Sequence, residues 1–346
     1  MNRKHFLSSL LPFSFSFSTN NGQQGAVEGR RAEQAIRTPP YLKPGDRIGV
    51  TCPAGFILPE EIRSAVQRME GWGLQVVTGT TVGKRDFTFG GTDEERKRDF
   101  QQMLDDRSLQ AIMCARGGYG FVRIIDELDF SAFVRHPKWI IGFSDITVLH
   151  GHLNHNYGVA SIHSKMCNSF PDDWSKAEPI QIETIDSIRH ALMGEKMQYQ
   201  VAVHGMNRTG TARGVLTGGN LKTIETLSGT KSDYVTAGKI LFVEDTGEYL
   251  YSIDRMFCNL KRTGKLENLA ALIVGGFKIK PDNEGEEFGR TVYDIVREKT
   301  GGYRYPVVFD FPVGHQKNNY ALKCGVMHQL DVRTDGVLLR ETGSNS

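Results

Sequence analysis

Between Arg47 and Leu153 short apolar runs alternate with segments of helical spacing, and that alternation limits the chain to few architectures. "RIGVTCPAG" reads as a strand ending in a Pro-Ala-Gly turn. "PEEIRSAVQRMEGWG" puts Ile62, Val66 and Met69 on one helical face and stops near Gly71 and Gly73. "LQVVTG" is a second strand. In "GGTDEERKRDF" Thr92 and Glu95 form a capping box, with Phe100, Met103 and Leu104 as the buried face and "DEERKR" as a solvated one. "LQAIMCA" is a third strand, broken by "RGGYG"; Phe121, Ile124, Ile125 and Leu128 mark another helix, and "KWIIGF" is a fourth strand. Strands alternating with helices imply a parallel sheet covered on both faces. In such sheets functional groups gather beyond the carboxyl ends of the strands. Both Arg116–Gly120 and Gly142–Asp145 fall there.

Past Ile162 the pattern loosens. "IQIETIDSIRHALMGE" is a helix and "MQYQVAVHG" a strand, while "ARGVLTGGNLKTIETLSGT" reads as a strand, a Gly-Gly-Asn turn and a helix. "KILFVED", "LAALIVGGF", "PVVFDF", "HQLDVRT" and "GVLLRE" add strands, with a helix around "FGRTVYDIVREKT". A second, mixed domain therefore starts between Ser164 and Ala212, and 346 residues are ample for two cores.

Bulk properties exclude several partners. A net charge of +2 gives no global field for nucleic acid or an anionic membrane. The five cysteines are dispersed without a C-x-x-C pair, which argues against a disulfide framework and a thiolate zinc site; Cys52 and Cys114 read as small buried hydrophobes. Residues 1–18 begin with "MNRKH", continue with "FLSSLLPFSFSF" and end in a small-x-small pattern, as in a signal peptide; 19–40 reads as a polar linker. Cleavage would place the mature protein in the periplasm or otherwise outside the cytoplasm, with no integral membrane segment; an uncleaved start would leave it cytoplasmic.

Ser144, in "WIIGFSDITVLHGHL", sits where an apolar run meets a helical pattern. It is either a nucleophile on a strand-to-helix elbow or the N-cap of an ordinary helix, and the second glycine of G-x-S-x-G is missing. Glu244 follows "KILFV" and His315 lies in "DFPVGHQKNN", each just beyond an apolar strand. Alone, Glu244 reads first as a strand-end carboxylate capping the next turn, and His315 as a structural loop histidine. Taken together, a serine, a glutamate and a histidine at strand exits fit a hydrolytic triad, which is defined by geometry and not by chain order. His315 would take the Ser144 proton and return it to the leaving amine, while Glu244 would fix the imidazole tautomer. The backbone N–H groups of Asp145 and of Gly117 or Gly118 could face the oxyanion, and Arg116 could fork onto a substrate carboxylate. Of the three histidines in "HGHLNH", His150 and His152 face different sides of a helix, so no metal is expected. "GGYG" lacks a following Lys-Ser/Thr and no G-x-G-x-x-G opens the first helix, so no nucleotide cofactor is expected either.

The motifs "CARGGYG", "IIGFSDIT", "GVLTGGNL", "LFVEDTGEYLYSIDRM" and "FPVGH" resemble, in order and approximate spacing, those of the serine LD-carboxypeptidases. That family covers muramoyltetrapeptide carboxypeptidases and microcin-C immunity peptidases, and the resemblance spans Tyr41 to Glu341. It implies a Rossmann-like parallel-sheet domain (41–165) carrying the nucleophile Ser144. A connecting segment (166–211) and a β-rich, barrel-like α+β domain (212–341) carrying Glu244 and His315 would follow. The implied reaction releases terminal D-alanine from a murein tetrapeptide by cutting an L,D amide, without cofactor or metal, in a homodimer. Beside Arg116, Asn220 is a second substrate-binding candidate, and Gly118 with Asp145 is the preferred oxyanion pair. One departure is Leu322-Lys323-Cys324-Gly325, where the family usually carries Leu-Pro-x-Gly. Two alternatives stay open. One is a peptidyl-nucleotide hydrolase whose Cys167–Lys176 loops use Trp174 to stack on a base; the other is a non-catalytic muropeptide-binding protein.

Overall fold

The apolar runs become the strands of two sheets in a computed structural model that describes Ile36 to Gly343. The expected signal segment and the start of the linker lie outside the described residues. The first five strands are β1 (Arg47–Thr51), β2 (Gln75–Thr78), β3 (Leu109–Cys114), β4 (Trp139–Gly142) and β5 (Ser161–His163). All neighbours among them pair in parallel. Crossovers include the helices Arg63–Gly71 and Asp93–Asp105, the latter opened by the expected Thr92–Glu95 capping box. Every residue of β4 is buried, which explains its unbroken apolar sequence.

The second sheet collects β6 (Gln198–Val201), β7 (Gly210–Asn220), β8 (Ile240–Glu248), β9 (Ala271–Ile279) and β10 (Val307–Val308). Strand β11 (Leu322–Cys324) instead joins the first sheet, antiparallel to β5, so that sheet runs β11-β5-β4-β3-β1-β2. β12 (Met327–Val332) and β13 (Val337–Glu341) return to the second sheet, ordered β10-β9-β8-β7-β12-β13-β6. The β7 to β10 half is parallel and the rest antiparallel. The described residues fall in a single unit, 35–346, that contains both sheets. Among them no helix is long and apolar enough to cross a membrane.

Several elements depart from the sequence reading. Strand β7 runs through Gly-Gly-Asn without a turn and passes directly into the helix Leu221–Thr226. At Gly218 a Cβ would lie 1.9 Å from the Phe242 carbonyl oxygen, so the glycines serve strand packing, not chain reversal. Phe121 to Leu128 forms two short 3-10 turns, Phe121–Arg123 and Ile125–Glu127, in place of a helix; the four apolar side chains are still buried. The helix Leu250–Arg262 was not foreseen, although Leu250, Ile253, Met256 and Leu260 carry its period. The "DEERKR" face is not wholly solvated, because Arg96 is fully buried. Strand β11 forms with Lys323 where the proline was expected. Its ammonium is held by the Glu341 carboxylate at 3.0 Å and the Glu195 carbonyl at 3.1 Å.

Candidate active site

Strand β4 stops at Gly142, and two residues later Ser144 takes φ +62°, a left-handed conformation rare for a residue with a side chain. A 3-10 turn, Ser144–Ile146, then leads into the helix Thr147–His152. The reversal is tight enough that a Cβ on Gly142 would lie 2.9 Å from Ile146 Cγ1. Room for the elbow thus comes from the glycine before the serine, which lets Ile146 stand where G-x-S-x-G has its second glycine. Buried His150 fixes the strand end, with its ring nitrogens 2.9 Å from the Gly142 carbonyl and 2.8 Å from Ser161 Oγ.

Glu244 lies on β8 opposite Asn220 and is completely buried. His315 follows Gly314, which bridges to Gly276 of β9 and whose N–H donates to Asn319 Oδ1 at 2.8 Å. A side chain at 314 would meet Glu244 Cβ at 2.5 Å, so only glycine lets this loop close over the glutamate. His315 Nδ1 stands 2.6 Å from Glu244 Oε2, and Nε2 stands 3.2 Å from Ser144 Oγ. Beside a carboxylate Nδ1 carries the proton and donates it. Nε2 is then left bare to accept from the serine hydroxyl. The ring packs on Phe143, centroids 4.8 Å apart. Three residues from widely separated segments therefore form one hydrogen-bonded line ending on a strained serine.

That line falls inside two matched sequence families of regions. Residues 48–164 match the LD-carboxypeptidase N-terminal domain and 213–330 the LD-carboxypeptidase C-terminal domain. A Bacillus subtilis protein named "Probable murein peptide carboxypeptidase" is 31% identical over 289 residues, 83% of this chain and 89% of its own. The chain belongs to the LD-carboxypeptidase family. The Escherichia coli microcin C7 self-immunity protein is 25% identical over 87% of this chain and 94% of its own. The crystal structure of muramoyltetrapeptide carboxypeptidase from Oxalobacter formigenes superposes with a TM-score of 0.75 at 24% identity. It covers 87% of this chain and 100% of that one, a likeness of fold.

Around the serine of this LD-carboxypeptidase family member, the 116–121 loop is clamped from both sides. Asp145 Oδ2 accepts the Phe121 N–H at 2.8 Å, and Arg96 donates to the carbonyls of Gly120 at 2.9 Å and Pro53 at 2.6 Å. Burial pushes the Asp145 carboxyl up to about 6, against the Phe121 N–H and the Arg96 charge, which pull it down. Arg96 is a functional support that the sequence reading missed. It lies in helical phase with Phe100 and Met103 on the buried face, and that phase was the available signal.

Two clefts flank the Ser–His line. One, of about 320 Å³, is lined by Gly118, Ser144, Asp145, Asn220, Asp245 and Glu248 among others. The second, of about 390 Å³, is lined by Phe143, Lys165, Lys278, His315 and Gln316 among others. Asn220 is at the site, but both ends of its side chain are engaged. Oδ1 caps the helix Leu221–Thr226 through the Thr223 N–H at 3.0 Å, and Nδ2 donates to Asp245 Oδ1 at 3.0 Å. Asp245 is held up at about 6, chiefly by burial. Arg116 lines neither cleft: its guanidinium donates to the Phe56 carbonyl at 3.0 Å and lies over the Phe56 ring. Trp174 also stands apart, donating to Ser64 Oγ at 3.0 Å with Arg68 over its face at 4.3 Å. Among the described residues no group of three or more His, Cys, Asp or Glu side chains is placed to hold a metal.

Proposed function

We propose that the chain is a serine carboxypeptidase that hydrolyses the L,D amide before the terminal D-alanine of murein tetrapeptides. The observation that carries this reading is the Ser144–His315–Glu244 line on a left-handed serine. Ser144 Oγ attacks the amide carbon as His315 Nε2 takes its proton, and Glu244 stabilises the imidazolium. The negative charge on the former carbonyl oxygen is met by the backbone N–H groups of Asp145 and Gly118. Two features support that assignment. Gly118 shares the cleft with Ser144, and a Cβ on neighbouring Gly117 would lie 3.0 Å from Ser144 Cβ, which measures how closely this loop approaches. Collapse of the tetrahedral species breaks the C–N bond as His315 returns the proton to the leaving amine. Water, deprotonated by His315, then cleaves the acyl-serine ester and frees the tripeptide acid.

Asn220 acts here by holding Asp245 and the helix behind the cleft that it lines. The peptidyl-nucleotide alternative has less support at Trp174, one face of which is already covered by Arg68. The basic-then-apolar start of the sequence supports action outside the cytoplasm. The test is D-alanine release from a defined tetrapeptide with chelator present. Wild type is expected to release it, and Ser144→Ala to lose at least ~10⁴-fold in kcat. A fully active Ser144→Ala protein would overturn the assignment.

A further inference from the structure

We propose that the cleft beside His315 is the subsite for the free carboxylate of the leaving amino acid, with Lys165 and Lys278 as its specificity-determining cations. This rests on the hydrolytic reading above and names which part of the substrate goes where. His315 must hand its proton to the leaving nitrogen, so the departing residue has to lie against the imidazole ring. The ring borders the 390 Å³ cleft, and no carboxylate lines that cleft. Lys165 is anchored one residue away from the histidine: its Nζ donates to the Gln316 carbonyl at 2.6 Å and lies 5.7 Å from the centroid of the Phe143 ring. That same ring supports His315. Lys278 comes from β9 opposite Thr246 and is exposed. Among the described residues neither ammonium has an ion-pair partner.

Two ammonium groups that line one cleft without an ion-pair partner repel, and burial compounds the effect at Lys165. Lys165 is pushed down to about 8, first by desolvation and then by Lys278, with Glu244 opposing. An anion seated between them relieves both penalties. The opposite cleft carries Asp145, Asp245 and Glu248 against the single cation Lys222. The two sides therefore differ in sign, and a substrate with a carboxylate on the leaving residue and an ammonium on the acyl residue matches that order. Arg116, the other candidate for the carboxylate, is directed at Phe56 and lines neither cleft.

The experiment compares a tetrapeptide acid with its C-terminal amide, both as substrates of the active protein and as ligands of the Ser144→Ala protein by calorimetry. The acid is expected to bind Ser144→Ala at least ~10-fold more tightly than the amide, in line with a charge-assisted contact. Lys278→Met and Lys165→Met should each erode that preference, mainly through KM in the active protein, while amide turnover and Arg116→Met stay near wild type. Equal binding of acid and amide overturns the proposal, as does a preference that survives in Lys278→Met and Lys165→Met but collapses in Arg116→Met. Lys278 is exposed, so its variant reports even if Lys165→Met fails to fold. If the acid is preferred by Ser144→Ala but never cleaved by wild type, the reaction assignment fails and the carboxylate subsite stands.

Discussion

At the end of β4 the chain carries Ser144 in the left-handed region on a turn of three residues, while Glu244 and His315 occupy backbone outside that region. The serine half carries local backbone strain, at a cost of order 1–3 kcal/mol, and is held by its own short turn, with a glycine two residues upstream making the room. Its partners are held by long-range closure. Seventy-one positions separate His315 from Glu244, and they meet because the loop at Gly314 folds onto a carboxylate in the core. Nucleophile and base thus answer to different physics, and substitutions can separate the two.

After loss of the nucleophile itself, the largest effect is expected on the buried side. Glu244→Gln keeps the shape but removes the charge, so nothing enforces Nδ1–H or stabilises the imidazolium, and kcat should fall ~10³–10⁴-fold. Thermal stability should hold or rise, because Glu244 Oε1 is buried without a hydrogen-bond partner among the described residues. Steady-state kinetics beside a melting curve reads both quantities. A fallen melting temperature with kcat retained would mean that the pair holds the fold and not the reaction.

The same contrast explains what was legible in the sequence. The parallel strands β1 to β4, the capping box at Thr92 and the position of Ser144 follow from local pattern, because period, turn chemistry and a Gly-x-Ser step are written within a few residues. The buried-strand exits marked Glu244 and His315 as candidates, yet their approach depends on the bridge from Gly314 to Gly276, and Gly276 lies in no local window around either residue. Strand β11 was illegible for the same reason: three residues pair with β5 across more than a hundred positions. Arg96 departs from the expectation that a charge in such a run is solvated, because its phase with Phe100 and its three carbonyl acceptors place it inside. The carboxylate role proposed for Arg116 rested on residue type alone, and the Phe56 carbonyl that holds its side chain lies sixty positions away.

A smaller effect, on stability and pH, is expected on the serine side. Asp145 stays above the ordinary carboxylate range because it is buried, with its folded value near 6. A raised carboxyl stabilises the fold when protonated, so the contribution is full below about pH 4 and is lost as pH rises through about 6. Asp145→Asn keeps an acceptor for the Phe121 N–H and cannot ionise. Across that window wild type should lose on the order of 2–3 kcal/mol relative to the variant. Urea unfolding of both proteins at several pH values measures it, and parallel curves would show that Asp145 carries no burial penalty.

The smallest effect isolates the approach of the glycine loop to the serine. A methyl at Gly117 would lie 3.0 Å from Ser144 Cβ and 3.3 Å from Oγ, close enough to require a shift of a few tenths of an ångström. Gly117 has no positive φ, so Gly117→Ala adds no backbone strain and stability should change by less than about 1 kcal/mol. The serine is held from the other side by Gly142 and Ile146, so the displacement falls on Oγ and on the adjoining N–H groups. About a tenfold loss in kcat is expected, because a misplacement near 1 Å costs roughly 10²-fold and this one is smaller. KM should stay close to wild type, since neither flanking cleft changes its charge. A variant with wild-type kcat would show that the loop tolerates the methyl by moving itself, and that the elbow does not depend on it for position.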